Sequence, residues 1–129
     1  MAKKIASFED LAVWQKAHQP VLSVYRITGS FPGEERLGLT SQMRRAAVSV
    51  PANLAEGFKK RGVRDKLNFY NIAQGSLEEL RYYLILSRDL GYVPENREMI
   101  EVTDEIARML HGLIRSVAAA ASEISGSNS

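Results

Sequence analysis

The stretch Leu39–Arg61 reads LTSQMRRAAVSVPANLAEGFKKR, and the fold turns on how it is read. Met43, Ala46, Ala47, Val50, Leu54 and Gly57 recur at three- and four-residue intervals, which places them on one face of an α-helix. Pro51 lies inside that pattern. It carries no backbone N–H and must free the carbonyl of Ala47, which either kinks the helix or splits it with Ser49 as a fresh cap. The stripe passes through in register, so one kinked helix is the expectation. Ala46, Ala47, Ala52, Ala55 and Gly57 offer little bulk, which lets a second helix come close. Glu34 and Glu35 belong either to the first turn of this helix or to the loop before it, and the segment from Gly57 to Gly62 ends it in a basic turn.

Upstream, Ser7 with Asp10 three residues later has the form of a capping box, so a first helix is expected to start at Ser7. Its stripe is Leu11, Trp14, Ala17, Val21, Val24 and Tyr25, with Pro20 bending rather than ending it. The run Thr28-Gly29-Ser30-Phe31-Pro32-Gly33 is turn chemistry and stops it.

Downstream, a third helix from about Val63 to Leu90 carries Ala73, Leu77, Leu80, Leu84 and Ser87 at 4-3-4-3 spacing, the seam of an antiparallel bundle. A second stripe, Phe69, Ile72, Ser76, Tyr83, Leu86 and Leu90, lies about 100° around the same helix. Two adjacent stripes bury more than a lone bundle covers, so the second is assigned to a subunit interface. Gly75 costs ~1 kcal/mol against alanine, and close backbone packing is the expected compensation. Gly91-Tyr92-Val93-Pro94 is a stop and a restart, after which Ile100, Thr103, Ile106, Leu110, Leu113 and Val117 mark a fourth helix. The segment 122–129, SEISGSNS, is expected to be a disordered polar tail on a single domain spanning 1–121. The fold class is all-α: an antiparallel up-and-down four-helix bundle.

The chain has 129 residues, enough for one core without metal or disulfide. Cysteine is absent, which fits a reducing compartment; no run approaches membrane-spanning length, and MAKKIASFEDL has too few apolar residues to be expected to act as a signal peptide. Cytoplasmic location is the expectation. Net charge is only +2, yet residues 36–66 hold eight basic groups against Glu56 and Asp65, whereas 67–105 hold three against eight acids. Such asymmetry makes a basic patch and an acidic patch on one body.

No catalytic constellation emerges. His18 and His111 stand on different helices without ligand-spaced partners, and neither a phosphate loop nor a nucleophile motif occurs. Glu78 and Glu79 point about 100° apart and cannot flank one substrate. No enzyme, metal or cofactor is expected. Two sets remain. Gln42, Arg45, Ser49, Asn53 and Glu56 share a helical face and read as a structural polar network, with Arg45 paired to Glu56 or Glu79; the competing reading is a ligand pocket. Lys59, Lys60, Arg61, Arg64 and Lys66 form a basic run that is either solvated surface or, repeated around a ring of subunits, a track for a phosphate backbone.

The blocks FEDLAVWQKA (Phe8–Ala17), VYRITGSFPGEERLGLTSQMRRAAVSVPANLAEG (Val24–Gly57) and IAQGSLEELRYYL (Ile72–Leu84), followed by GYVP and RMLHGLI, resemble the bacterial four-helix-bundle family encoded in intervening sequences of 23S ribosomal RNA. The resemblance covers roughly 8–117 and implies a homopentameric, barrel-like ring. It also implies kinship with the accessory proteins of diversity-generating retroelements, basic pentamers that bind a reverse transcriptase and nucleic acid. On that resemblance Arg44, Lys59, Lys60, Arg61, Arg64 and Lys66 are the candidate contacts for RNA or DNA. The readings rank as a ring that holds nucleic acid, then a ring that only docks a protein, then an enzyme using the Asn53/Glu56 face.

Overall fold

Helical periodicity resolves into four α-helices in a computed structural model, which describes residues 4–127 and their side chains as far as Ser122. They are α1 (Ala12–Thr28), α2 (Leu39–Lys59), α3 (Val63–Asp89) and α4 (Arg97–Ser127), with one-turn 3-10 helices at Phe8–Asp10 and Gly33–Glu35 and no strand among the described residues. α2 packs against α1 and α3, and α4 packs against the same two, while the diagonal pairs keep their backbones apart. The result is a four-sided arrangement whose apolar faces meet along the centre.

Two buried clusters fill that centre. One gathers Val13, Ala17, Val50, Leu54, Tyr70, Leu77, Ile106 and Leu110; the other gathers Val24, Met43, Ala47, Leu80, Leu84 and Val93. Every residue of the α2 stripe and of the α3 seam is buried. A fully buried leucine such as Leu54, Leu80 or Leu84 contributes roughly 1.5–3 kcal/mol. Pro51 sits inside an unbroken α2, so Ser49 does not cap a new helix.

The α2–α3 pair is the tightest in the molecule. Ser87 Oγ lies 3.3 Å from Met43 Sδ, Ser49 Oγ lies 2.7 Å from Ser76 Oγ, and Gly57 meets Tyr70. Residue numbers thus rise along α2 as they fall along α3. At Gly57 a Cβ would stand 2.6 Å from Tyr70 Cε1, so only glycine allows this approach. The other end of α3 closes on Gly91, whose φ of 79° permits Tyr92 N–H to reach Ser87 O at 2.9 Å and Gly91 N–H to reach Arg88 O at 3.0 Å.

Several expectations need correction. Ser7 and Asp10 frame the 3-10 turn instead of α1: Ser7 N–H donates to Asp10 Oδ2 at 3.2 Å, and Leu11, extended at φ −72° and ψ 125°, separates that turn from the helix. On α1 the buried positions are Val13, Ala17, Pro20, Val24 and Thr28; Tyr25 is 49% exposed because the packed face lies to one side of the expected stripe. Gly75 has nothing within 4 Å of a built Cβ, so no close approach inside the chain compensates it. The expected tail from Ser122 is helical as far as Ser127, continuing from the strong helix formers Ala118–Ala121, and its last two residues lie outside the described ones. α4 starts at Arg97, after Asn96 has turned inward to donate from Nδ2 to Leu84 O at 2.6 Å. No helix among the described residues is long and apolar enough to cross a membrane.

Candidate functional site

Only three residues link α2 to α3, because Gly57 against Tyr70 brings the helices together just before α2 ends. The basic run is therefore folded into one corner of the molecule. Lys59, Arg61 and Arg64 are exposed there and have no hydrogen-bond or ion-pair partner among the described residues. Lys60 lies with its Nζ 5.2 Å from the centre of the Phe69 ring, a cation–π distance.

Lys66 is spent differently. Its Nζ donates to Phe58 O at 2.7 Å and to Gly57 O at 3.2 Å, satisfying carbonyls that the last turn of a helix leaves without partners. Burial holds its ammonium pKa below the usual lysine range. It is an internal cap that adds charge to the corner while two of its three N–H donors are taken by its own chain. Arg44 is not part of the corner at all. It lies fifteen residues back along α2, roughly 22 Å by the helical rise. There its Nε donates to Thr28 Oγ1 at 2.9 Å and its guanidinium stands 4.5 Å over the Tyr25 ring. Of six predicted contacts, the fold brings five together and leaves three unengaged.

The polar set forms only in part. Ser49 and Ser76 share a 2.7 Å hydrogen bond, and Asn53 Nδ2 donates to Ser49 O at 2.8 Å and Ser49 Oγ at 3.0 Å. Gln42, Arg45 and Glu56 stand exposed, and Arg45 pairs with neither Glu56 nor Glu79. Exposed guanidinium and carboxylate groups gain little from pairing, so water competes successfully for them. Glu79 instead accepts a long 3.5 Å hydrogen bond from Tyr83 OH, and that neighbour, after burial, raises the Tyr83 phenol pKa. Sequence reasoning overlooked Arg81 with Asp104 at 2.7 Å and Lys16 with Glu105 at 3.2 Å. Each joins two helices, so no local spacing could have shown it.

The second α3 stripe also divides. Tyr83 and Leu86 pack against the chain's own Val24–Met43–Leu84 cluster, and Phe69 sits beside Gly57. Ile72 and Leu90 remain 51% and 50% exposed, and Ile72 lies one turn before the open Gly75 and the half-buried Ser76. His18 lies flat against Trp14, rings 5.2 Å apart, and no group of three metal-ligating residues occurs among the described ones.

The comparisons agree with this architecture. The profile of the 23S rRNA-intervening sequence protein family matches residues 9–112. None of the curated proteins matches the chain. The chain is similar to a crystal structure from Bacteroides thetaiotaomicron, described as a protein of unknown function from the S23 ribosomal protein family. The TM-score is 0.72 at 23% identity, over 83% of this chain and 98% of that one. Identity at that level speaks to the fold alone. The family profile runs from the 3-10 turn before α1 well into α4, and on that match the chain belongs to the family of 23S rRNA-intervening sequence proteins.

Proposed function

We propose that the protein is a non-enzymatic, cytoplasmic scaffold whose antiparallel four-helix subunits associate into a homopentameric ring and hold RNA or DNA on a basic rim. The observation that carries this reading is the α2–α3 corner, where Lys59, Arg61 and Arg64 are exposed without partners and Lys60 and Lys66 add charge beside them. Copied around a ring, such a corner becomes a continuous positive track suited to phosphates rather than to bases. The half-open α3 stripe, with Ile72 and Leu90 half exposed, supports the association. The ring number rests on family resemblance.

A salt series of RNA and DNA binding tests it. Binding should fall steeply with salt, with a logarithmic slope near −0.9 for each phosphate contact on duplex DNA. A variant with Lys59, Lys60, Arg61 and Arg64 changed to glutamine should lose it. Failure of both proteins to bind at low salt would remove nucleic acid from the proposal.

A second reading, favoured by the exposed Ile72 and Tyr82 on α3 and Leu90 just beyond it, is an assembly that docks a protein without touching nucleic acid. A reverse transcriptase is one such partner, from the resemblance to retroelement accessory proteins. A partner retained by the glutamine variant marks that reading.

A further inference from the structure

An open groove of about 510 Å³ runs between the end of α1 and the first half of α2, away from the basic corner. Its walls carry Arg36, Arg44 and Arg45 with the hydroxyl residues Thr40 and Ser41, and no carboxylate lines it. Arg44 is held in place by Thr28 and the Tyr25 ring. Arg36 and Arg45 are exposed and make no ion pair or hydrogen bond among the described residues. Three guanidinium groups with no carboxylate in the groove wall favour a dianion over a single carboxylate; Glu79 shares only the neighbouring cavity that Arg45 also lines.

Thr40 is an independent observation. It is only 7% exposed, yet its hydroxyl has no hydrogen-bond partner. The other buried Ser and Thr hydroxyls are engaged: Thr28 with Val24 O at 2.7 Å, Ser87 with Tyr83 O at 2.7 Å, Thr103 with Ile100 O at 2.6 Å; the buried Tyr70 phenol, away from the groove, shares with Thr40 the lack of a partner. A helical threonine can satisfy itself on a preceding carbonyl in this way, and Thr40 does not. Nor is its oxygen sealed off: among the described residues the one polar side-chain atom both fully buried and unpartnered is Asn96 Oδ1. Thr40 lines the groove, and its hydroxyl is the polar side-chain group it can offer to an acceptor there.

We infer that this groove binds an organic phosphate monoester. The phosphate sits among Arg36, Arg45 and the Thr40 hydroxyl, where guanidinium forks match its oxygens. The groove is far larger than a phosphate, and Tyr25 and Val48, 49% and 40% exposed, face the organic part with ring and methyl surface. The ester is either a free small molecule or the terminal phosphate of a nucleic-acid strand. This site uses none of the residues of the α2–α3 corner.

Calorimetric titration of the full chain with inorganic phosphate and with adenosine 5′-monophosphate, against chloride at equal ionic strength, tests it. Both phosphates should bind, and Arg36→Gln with Arg45→Gln should weaken them about tenfold or more. Thr40→Val keeps shape and removes only the hydroxyl, so it should melt no lower and still weaken binding several-fold. The glutamine variant at Lys59, Lys60, Arg61 and Arg64 should bind phosphate like the parent. A 5′-phosphorylated oligonucleotide that outbinds its 5′-hydroxyl twin, with the advantage lost in Thr40→Val, identifies a strand end. Equal binding of the twins beside tight monophosphate binding identifies a free ester. No heat with phosphate beyond the chloride control, or unchanged binding in both groove variants, overturns the site. Phosphate binding lost only in the corner variant also overturns it while leaving the proposed function intact.

Discussion

Gly57 on α2 and Gly75 on α3 are both helix-interior glycines, and the chain treats them in opposite ways. At Gly57 a methyl group would be driven into the buried Tyr70 ring, 2.6 Å away. At Gly75 it would meet nothing within 4 Å. The first glycine is the reason that α2 and α3 close together, and through that closure the reason that the basic run is gathered in one corner. The second lies on the outer face of α3 between Ile72 and Ser76, where nothing in the subunit accounts for it. One region is explained within a single chain; the other has no explanation inside it.

Substitutions sharpen that contrast. Leu80→Ala, in the buried seam, should cost about 2–5 kcal/mol in chemical denaturation. Ile72→Ala, on the open face, should leave subunit stability within roughly 0.5 kcal/mol while shifting the oligomer distribution in light scattering. Equal losses at both positions would mean that the two faces are not distinct.

Gly57→Ala comes next. Overpacking against Tyr70 costs about 1–3 kcal/mol, which outweighs the gain in helix propensity, so the melting temperature should fall. Gly75→Ala should do the reverse in the dissociated subunit, raising stability by about 0.5–1 kcal/mol. If the assembled protein nevertheless weakens, a neighbouring subunit approaches the Gly75 backbone.

Alkaline titration separates the ends of the molecule. Tyr92 donates to Glu35 Oε2 at 2.7 Å, and this hydrogen bond, then burial, raises its phenol pKa. A folded pKa above the unfolded value near 10 gives stability that is complete below that pH and lost as pH climbs through the folded value. Tyr92→Phe should flatten that limb of the stability curve. Lys66, with its lowered pKa, works in the opposite direction, so a Lys66→Met variant should steepen the fall.

The smallest effect belongs to the surface. Arg81 and Asp104 are 36% and 41% exposed, and their hydrogen bond is the leading cause of the raised Arg81 pKa. Solvent screening limits the pair to about 1 kcal/mol or less in a double-mutant cycle, diminishing in high salt. A much larger coupling would show the α3–α4 edge to be less open than its exposure implies.

Much of the fold was legible because helical period is a local property. Met43 to Gly57 on α2, and Ala73 to Ser87 on α3, were marked as inward by spacing alone, and all are buried. Gly91 announced the end of α3 because a left-handed residue there favours glycine. The candidate site was legible only as a set of charges. That Lys66 would turn back onto the carbonyls of α2, or that Arg44 would leave the set for Thr28 and Tyr25, depends on residues 16 or more positions away for Arg44 and on the geometry of a turn for Lys66. Tyr25 shows the same limit: its place in an apolar stripe said helix, but not which side of the helix would be covered.

By itself, then, the sequence determined four helices, the inward faces of α2 and α3 and a basic link between them. These follow from residue spacing, backbone freedom at glycine and charge, all of which act over a few residues. Tertiary structure alone decided which cations stay free, that Arg45 finds no carboxylate, that Gly57 is indispensable and Gly75 is open, and that Thr40 is buried without a partner. Those outcomes depend on distances between helices, and such distances are set only once the faces have packed.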